Sequence, residues 1–194
     1  MLIRELNGHE IIAHLDQLAD LRLGIFREYP YLYDGNRDDE RRYLGSYAGK
    51  GLVLLALDTE QVAGAITGMS LADETPALVA PFHAAGLAPQ EYFYIGELLL
   101  YAPYRNHGTG SLLLTRLEQL VEERTSCRHY CFATVVRPDN HPEKPVDFVS
   151  IERFSHRHGY RLLPGVSARI AWQEIDGQTT TKRLDFWQKE VKRR

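Results

Sequence analysis

The feature that most constrains the fold is the stretch Tyr101–Leu120, YAPYRNHGTGSLLLTRLEQL, where an apolar run gives way to a glycine-spaced turn and then to a helical pattern. The residues that lead into it, YFYIGELLLY, have the composition of a buried strand. Leucines then recur at helical spacing, and one face of the helix carries Leu113, Leu117, Leu120 and Val121. The sequence therefore predicts a strand, a tight turn and an amphipathic helix in direct succession, as in a mixed α/β fold.

The turn RNHGTGS has the properties of an anion site. It places several backbone N–H groups at a strand-to-helix corner, and Gly108 and Gly110 leave room for a ligand to approach the backbone. The first turn of the following helix adds unpaired N–H groups and the positive end of the helix dipole, and Arg105 adds a charge. A phosphate or a pyrophosphate is the expected occupant.

Three phosphate-binding patterns compete for this turn, and two of them fail. A P-loop needs a lysine directly after its second glycine, and none follows Gly108 or Gly110; a dinucleotide fingerprint needs a third glycine, whereas SLLL follows Gly110. The third pattern, Arg/Gln-x-x-Gly-x-Gly/Ala, is matched at every specified position by Arg105–Gly110. This match resembles the acetyl-CoA pyrophosphate loop of the GNAT acetyltransferase superfamily. The alternative is a helix cap that holds no ligand.

The order of the predicted elements also resembles the GNAT fold over nearly the entire chain. That resemblance implies an α/β (α+β) fold with a mainly antiparallel central sheet flanked by helices, in a single domain over residues 1–194. The proline-rich residues 74–91 are expected to loop over the surface, with room for one helical turn. The predicted strands cover residues 2–6, 51–58, 61–73, 92–101, 129–136, 168–175 and 179–187, and the predicted helices cover 8–29, 37–48, a segment after 108, and 146–160.

The resemblance implies a binding mode for the cofactor, acetyl-CoA. The strand before the turn is expected to splay away from the strand at 129–136, so that the pantetheine arm enters the gap. Backbone groups near the end of the splayed strand would meet the thioester and stabilise its developing oxyanion. The residues expected to bind the cofactor are Leu99, Leu100, Tyr101, Arg105, Asn106, His107, Gly108, Thr109, Gly110 and Ser111.

Glu97 is the first candidate for the general base. An alkyl amine with a pKa of about 10.4 costs roughly 4 kcal/mol to deprotonate near pH 7.4. Glu97 is the only carboxylate in its strand, and burial would raise its pKa toward a useful value. The resemblance implies an acidic residue at this distance before the turn, and a glutamate paired with an arginine at the strand's edge is the structural alternative. Tyr94 is the second candidate, because some relatives place the base three residues earlier.

Two residues that the resemblance leads us to expect are absent. Where many relatives have a tyrosine that protonates the leaving CoA thiolate, this chain has Ser155, a shorter side chain and a much weaker acid. Where relatives have an asparagine that contacts CoA, this chain has Phe148. Tyr101, Tyr130 or Tyr33 would have to supply the proton instead, or it would come from water.

The acceptor site is expected in the segment REYPYLYDGNRDDE, because the resemblance places acceptor contacts between the first two helices. Tyr31 and Tyr33 supply aromatic surface and Asp34 supplies negative charge, a combination that favours a cationic amine. Asp38 and Asp39 are explained as well by the first turn of a helix, where carboxylates suit the helix dipole.

The charge and the hydropathy of the chain limit the classes of partner that are expected. With 23 basic and 26 acidic residues, the net charge is only -3, so sequence-independent nucleic-acid binding is not expected. No apolar run approaches the ~20 residues needed to cross a bilayer, and the N-terminus is charged from its fourth residue. These patterns predict a cytoplasmic protein that has no membrane partner. The basic tail KEVKRR is assigned no role.

No metal site or disulfide framework is predicted. Cys127 and Cys131 have no second pair to complete a zinc site. His156 and His158 point in different directions at helical spacing, so a metal would need ligands that the sequence does not show. Neither cysteine has a visible base, so a covalent acyl-enzyme is not expected.

The sequence thus predicts an acetyl-CoA-dependent N-acetyltransferase that transfers its acetyl group directly to a primary amine of a small molecule or a peptide in a ternary complex. Two other interpretations stay open: a non-catalytic acyl-CoA-binding module of the same fold, and a binder of nucleotide phosphates. Trp172 and Trp187 lie on opposite strands of the closing hairpin and are expected in the core or in the contact of a homodimer.

Overall fold

The strand, the turn and the helix form as the sequence predicts. The structure is a computed structural model that describes residues 1–192. Strand β4 (Tyr92–Leu100) leads through the turn into helix α5 (Thr109–Arg124), whose leucine face is buried. Gly108 has a φ of 85°, a left-handed conformation that glycine adopts without steric cost, and this lets the chain turn sharply into the helix.

Six further strands complete one sheet around β4. They are β1 (Leu2–Leu6), β2 (Leu52–Asp58), β3 (Gln61–Ser70), β5 (His129–Val135), β6 (Arg161–Gln173) and β7 (Thr179–Glu190). Their order is β1-β2-β3-β4-β5-β7-β6, and every neighbouring pair is antiparallel except β4 and β5. This mixed sheet confirms the predicted fold class.

Helices cover both faces of the sheet. In the part of the chain that the structure describes, the others are α1 (Gly8–Ala13), α2 (Leu15–Phe26), α3 (Arg37–Gly45), α4 (Pro76–Ala84) and α6 (Ile151–Arg157). Alternate side chains of β2 enter different cores, as the two-residue period of a strand requires. Val53 and Leu55 pack with α1, α2 and α3, whereas Leu54 and Ala56 pack with α5.

The splay between β4 and β5 is present, and a β-bulge explains it. The two strands pair only where Tyr92–Tyr94 meets His129–Cys131, and beyond that point they separate. On its other side, β4 pairs Glu97 with Thr67 and Ile95 with Gly68, so Gly96 is the extra residue of a bulge. A bulge bends its strand and increases the local twist, which turns the end of β4 away from β5.

Several element predictions were wrong in detail. The strand predicted over 168–175 is β6, which already begins at Arg161. The helix predicted over 8–29 is two helices, because the chain breaks at His14, and α2 ends at Phe26. Residues 74–91 contain a full helix, α4, which starts at Pro76, where a missing N–H costs nothing.

The helix predicted over 146–160 is limited to α6 and begins after Ser150, whose side chain caps it. Gly159 follows α6 with a φ of 86°, a left-handed conformation that commonly ends a helix. No helix within residues 1–192 has the length and apolarity needed to cross a membrane. Of the basic tail, Arg193 and Arg194 lie outside the described residues.

Candidate active site

A cavity of about 300 Å³ passes through the opening between β4 and β5. One part of it touches α5 and α6 through Leu114 and Phe154, and the other part reaches α2 and the loop before α3 through Arg22 and Tyr31. The cavity therefore connects the face of the sheet that carries the glycine turn with the face that carries α2 and α3. Its wall also includes Tyr33, Tyr43, Tyr94, Glu97, Leu99, Ser155, Tyr160 and Trp172.

The glycine turn presents the N-terminal N–H groups of α5 near Phe154 of the cavity wall, whose ring would lie 3.7 Å from a Cβ at Gly110. The first N–H that enters the helical ladder of α5 is that of Leu112, which donates to the Gly108 carbonyl at 3.0 Å. The N–H groups of Thr109, Gly110 and Ser111 precede it at the helix N-terminus. A Cβ at Gly110 would lie 3.5 Å from Leu100 Cδ1, at ordinary contact distance, so this turn lies close to the end of β4. Two further predicted residues, Asn106 and His107, lie on the exposed outer side of the turn.

The end of β4 presents backbone N–H groups to the opening. The Tyr101 N–H donates to the Ala63 carbonyl of β3 at 3.0 Å and is therefore turned away from the gap. Because successive N–H groups of a strand point to opposite sides, the Leu100 N–H faces the opening. Leu99 lines the cavity with its neighbours on β4.

The Arg105 guanidinium is held by two partners. Its Nε donates to the Leu100 carbonyl at 2.8 Å, and its two terminal nitrogens donate to the Glu28 carboxylate at 2.7 and 3.0 Å. This bidentate pair joins the turn before α5 to the segment after α2. Because Glu28 neutralises part of its charge, Arg105 does not face the N-terminus of α5 as an unpartnered cation.

His158 is a residue of this region that sequence reasoning did not assign to a site. Its Nε2 lies 2.9 Å from the Ser111 hydroxyl, and its ring lies 4.4 Å from the ring of Phe154. Burial lowers the pKa of His158 below its ordinary value. The charge of Glu118 acts to raise this pKa, whereas the charges of Lys189 and Arg157 lower it further. His158 thus braces α6 against the first turn of α5.

On the other side of the sheet, Glu97 lies in the cavity wall and is almost completely buried. The Arg22 guanidinium donates to one oxygen of its carboxylate, and the Thr67 hydroxyl donates to the other. Burial raises the pKa of Glu97 above its ordinary value, although Arg22 and Thr67 act to lower it. The arginine pair that the sequence left as the structural alternative is therefore present, in the interior of the sheet rather than at its edge.

Arg22 is shared between two buried carboxylates. It also donates through Nε to Glu40, and its guanidinium lies 4.5 Å from the ring centre of Phe26 and 4.8 Å from that of Tyr43. The two glutamates raise the pKa of Arg22 despite its burial. One guanidinium is thus shared by two carboxylates, of which Glu97 lines the cavity and Glu40 lies behind it.

The predicted aromatic residues surround the same end of the cavity. Tyr31 stacks on Phe26 with ring centroids 4.4 Å apart, and the Tyr33 ring lies 5.0 Å from that of Trp172. Burial raises the pKa of Tyr31 and of Tyr33, and negative charges add to the effect: Glu97 at Tyr31 and Glu40 at Tyr33. Trp172 belongs to the cavity wall, whereas Trp187 is buried in the core against Phe132.

A buried ion pair holds this aromatic loop in place. Arg137 donates to the Pro30 carbonyl at 2.9 Å, to the Tyr31 carbonyl, and with two nitrogens to Glu174 at 3.1 and 2.8 Å. Burial alone would raise the pKa of Glu174, but hydrogen bonds from Arg137, Lys182 and Thr180 lower it to about 2. Sequence reasoning missed Arg137 because its partners lie on distant segments.

Other predicted residues lie outside the cavity wall. Asp34 is exposed and pairs with Arg27. Tyr101 borders a second, more open hollow together with Asp20, and the buried Tyr130 hydroxyl donates to the Glu118 carbonyl at 3.0 Å. Tyr33 is therefore the one of the three alternative acids that lines the cavity within the described chain.

Three more predicted positions are also located. Ser155 lines the cavity, but its hydroxyl donates to the Ile151 carbonyl at 2.9 Å. Phe148 packs edge-on against Tyr29 with centroids 4.7 Å apart. Tyr94 is buried in the cavity wall, and burial raises its pKa well above 10. Within residues 1–192, no group of three or more potential ligands is arranged to hold a metal ion.

Comparison with known proteins identifies the relatives of the chain. The sequence profile of the Acetyltransferase (GNAT) family matches residues 15–146, more than half of its length. No curated protein sequence shows a significant match.

Solved structures share the architecture. An N-acetyltransferase from Staphylococcus aureus Mu50 gives a TM-score of 0.61 at 15% identity and covers 98% of both chains. An aminoglycoside 6'-N-acetyltransferase complexed with coenzyme A gives 0.61 at 17% identity, over 100% of this chain and 99% of that chain. The structure of yncA from Salmonella typhimurium with its cofactor acetyl-CoA gives 0.60 at 13% identity, over 100% and 95%. At such identities the similarity shows the fold alone.

Proposed function

Because the chain belongs to the GNAT acetyltransferase family, which uses acetyl-CoA, we propose that it transfers the acetyl group to a cationic primary amine of a small molecule or a peptide. One observation carries this proposal. A single cavity runs through the opening between β4 and β5, from Leu114 and Phe154 on the side of α5 and α6 to the aromatic wall that contains Arg22 and Glu97. Both substrates would meet inside it, so we propose direct transfer in a ternary complex.

The residues of the cofactor side fit acetyl-CoA, which supplies the acetyl group as a thioester when bound. We assign its pyrophosphate to the N–H groups of Thr109–Ser111, with Gly108 and Gly110 allowing close approach and Asn106–His107 flanking the turn. The pantetheine arm would follow β4 along Leu99–Tyr101. There the Leu100 N–H is the donor that stabilises the negative charge developing on the thioester oxygen.

Arg105 has a more limited role in this proposal than its position in the motif suggests. Its bidentate pair with Glu28 offsets its charge, and its bond to Leu100 fixes its direction. We assign it to holding the turn in place while it adds a partial positive field beside the pyrophosphate.

Glu97 is the base in our proposal. It lies in the cavity wall, and burial raises its pKa toward the range in which a carboxylate accepts a proton from an amine. The Arg22 pair limits that rise and keeps the side chain ionised before the acceptor enters. Tyr94 is less suitable, because its raised pKa keeps its proton in place near neutral pH.

The acceptor would lie between the tyrosines and the buried glutamates. Tyr31 and Tyr33 present ring surface to a cation, and the excess negative charge of Glu40 and Glu97 over Arg22 favours a positive ligand. Asp34, on the surface beside this loop, would act only on the approach of the amine. Ser155 is bonded to its own helix, so we assign the proton of the departing thiolate to Tyr33 or to water.

A non-catalytic acyl-CoA-binding module remains the second candidate, and two observations favour it. Both oxygens of the Glu97 carboxylate already accept hydrogen bonds from Arg22 and Thr67. Ser155 stands where relatives have a tyrosine acid, and its hydroxyl is occupied. A module of this kind would bind acetyl-CoA without accelerating the release of its thiol.

Three further properties belong to this proposal. The chain would act as one domain over residues 1–194. Its two buried cysteines form no disulfide, which fits the reducing cytoplasm. Trp172 and Trp187 are both buried in the protomer, so neither is assigned to a dimer contact. If the chain dimerises, β6 offers the contact instead, because this strand forms one edge of the sheet.

Thiol release from acetyl-CoA tests the proposal directly. The wild type is assayed with polyamines, aminoglycosides, amino acids and peptides, and we expect acceleration by at least one cationic amine. Glu97→Gln should lower kcat by roughly 10²- to 10⁴-fold, the usual contribution of a general base, with little change in the KM for acetyl-CoA. The matched control is Glu123→Gln on the exposed side of α5, which should leave the rate unchanged. Binding of acetyl-CoA without thiol release across the whole panel would establish the module instead.

A further inference from the structure

The side chains of β4 divide the cavity into two ends, and the bulge in this strand sets which residues share an end. Ile95 and Leu98 pack with the core that contains α5, whereas Tyr94 and Leu99 pack with the cores that contain α4 and α2. Glu97 lies on the second side, beside α2. We call this second side, which is bounded by α2, the loop before α3, α4 and β6, the acceptor end.

The wall of the acceptor end is mainly apolar and aromatic. Leu78 of α4 and Ile170 of β6 supply hydrocarbon surface. The Tyr33 ring lies 5.0 Å from the ring of Trp172 and 6.3 Å from that of Phe26, so these rings form a continuous surface. A ligand in this end would be surrounded by groups that favour the burial of an apolar body.

The charges of the wall are few, and they are paired. Among the described residues that line the cavity, Arg22 and Glu97 are the charged ones, and they contact each other. Arg22 also pairs with Glu40, behind the wall, and the exposed Asp34 pairs with Arg27. One ammonium group would be balanced by the carboxylate that Arg22 leaves in excess. A second ammonium group on the same ligand would find no unpaired carboxylate in this wall.

The Arg22 guanidinium also covers part of the aromatic surface. It lies 4.5 Å from the ring centre of Phe26 and 4.8 Å from that of Tyr43. A further cation against either ring would be repelled by the charge of Arg22. These two rings therefore do not form a cage for a second ligand cation, and the rest of the aromatic wall is left to contact an apolar body.

The size of the cavity limits that body. A volume of about 300 Å³ is at the lower end of the range of ligand pockets, and the thioester end of the cofactor would take part of it. The room that is left suits a short chain or a single small ring.

We propose that the acceptor is a primary monoamine with a compact apolar body, for which one aromatic ring on a short alkyl chain is the best fit. This inference rests on the proposed acetyl transfer and narrows its acceptor class. Polyamines and aminoglycosides carry several ammonium groups, so they should be poor acceptors.

The reaction of such an amine is balanced. The ammonium group gives one proton to Glu97, and its nitrogen uses the freed electron pair to form a C–N bond with the thioester carbon. The C–S bond breaks, and its electron pair leaves on the CoA sulfur. The nitrogen then loses a second proton, and the thiolate gains one from Tyr33 or from water. The products are the amide, the CoA thiol and one proton released to solvent.

Matched amines test the number of charges that the acceptor end accepts. Butylamine and 1,4-diaminobutane have the same chain and differ by one ammonium group. At pH 7.4 with saturating acetyl-CoA, we expect kcat/KM for thiol release to be roughly 10- to 10³-fold higher for butylamine, because the second ammonium must be buried unpaired or lose its proton. 2-Phenylethylamine should exceed ethylamine by about 10-fold or more, because its ring is buried in the wall.

Ile170→Ala tests the contact between the wall and the body of the acceptor. Ile170 is partly buried and lines the cavity. Each fully buried methylene contributes about 4-fold to binding, so we expect this truncation to lower kcat/KM for 2-phenylethylamine by about 5- to 10-fold and for ethylamine by less than about 2-fold. A general loss of structure would lower both values alike. The matched control is Ile175→Ala, at a residue of the same type outside the cavity wall, which should change neither value.

Calorimetry tests the same inference without turnover. The protein saturated with CoA is titrated with butylamine, 1,4-diaminobutane and 2-phenylethylamine, and we expect 2-phenylethylamine to bind most tightly and the diamine most weakly. If this order is found but no amine releases thiol, the proposed function fails while the assignment of the acceptor end to monoamines stands.

Three results would overturn the inference. They are a kcat/KM or an affinity for 1,4-diaminobutane or an aminoglycoside that equals that of 2-phenylethylamine, an equal effect of Ile170→Ala on both monoamines, and the absence of binding by every amine. The peptide Phe-Gly-Gly carries the same ring on a longer, polar body. A higher kcat/KM for this peptide than for 2-phenylethylamine would show that the acceptor is not compact.

Discussion

At the scale of single residues, Gly108 and Gly86 adopt the same left-handed conformation, with φ of 85° and 72°. Neither has an atom within 4 Å of an added Cβ, so alanine would be strained by its backbone alone at both positions. Only Gly108 lies at the N-terminus of α5, whereas Gly86 follows α4. A comparison of alanine variants at these two glycines therefore separates the effect of backbone strain from the effect on ligand binding.

We predict that Gly108→Ala and Gly86→Ala each lower the free energy of unfolding by about 1–2 kcal/mol. Gly108→Ala should also weaken CoA binding by roughly 10-fold, because a shift of the turn misdirects the N–H groups of Thr109–Ser111. Urea denaturation and calorimetry with CoA measure the two effects. Equal CoA affinity in both variants would contradict the assignment of the pyrophosphate to this turn.

Arg22 is the residue on which the buried charges depend. It donates to Glu40 and to Glu97 while its guanidinium lies against Phe26 and Tyr43. Desolvation makes such an arrangement a poor source of stability, so its presence in the cavity wall agrees better with a functional role.

At the scale of elements, the loop after α2 depends on the hairpin of β6 and β7. Arg137 and Glu174 connect the Pro30 and Tyr31 carbonyls to the end of β6, and the Trp172 indole donates to the Tyr31 carbonyl at 2.9 Å. The loop that carries Tyr31 and Tyr33, the proposed acceptor residues, is therefore held by elements that follow it by more than 100 residues.

Glu174→Gln should show this dependence as a change of stability with pH. The pKa of Glu174 is lowered from 4.5 to about 2 in the folded state, so its stabilising effect is complete above pH 4.5 and is lost as the pH falls toward 2. We expect the variant to be less stable by about 3 kcal/mol at pH 7. The difference from the wild type should narrow steadily below pH 4.5.

Thermal unfolding between pH 7 and pH 2.5 measures this difference. Glu190→Gln, an exposed carboxylate of β7, is the control and should give no such trend. A constant difference between wild type and Glu174→Gln at all pH values would show that the Arg137 pair does not stabilise the loop through its charge.

At the scale of the whole molecule, the sheet has two parts that meet along a short seam. β1 to β4 form one part and β5, β7 and β6 form the other, and they pair only where Tyr92–Tyr94 meets His129–Cys131. A ligand in the opening would contact both parts and so stabilise the folded state as a whole.

CoA and acetyl-CoA should therefore raise the Tm. At a concentration of 100 times Kd, binding contributes about 2.7 kcal/mol, which corresponds to roughly 5–10 °C for a chain of this size. ATP at the same concentration should give a clearly smaller shift, because it has no pantetheine arm to enter the opening. An equal or larger shift with ATP would support a binder of nucleotide phosphates.

Local patterns were enough for much of this protein. The glycine turn, the leucine face of α5 and the apolar strand with its single carboxylate are each specified by neighbouring residues, so they could be predicted from the sequence. The break at His14, the helix in residues 76–84 and the short α6 could not, because packing decides among conformations that local propensity leaves nearly equal.

The sequence by itself determined the mixed fold, the family resemblance and the position of Glu97 on a buried strand. Only the tertiary structure decided what Glu97 touches: Arg22 lies 75 residues earlier and Thr67 lies 30 residues earlier. Likewise, Arg105 is paired with Glu28, 77 residues away. Hydrogen bonds and ion pairs depend on distance in space, and the folded chain brings these groups together without any signal in their local sequence.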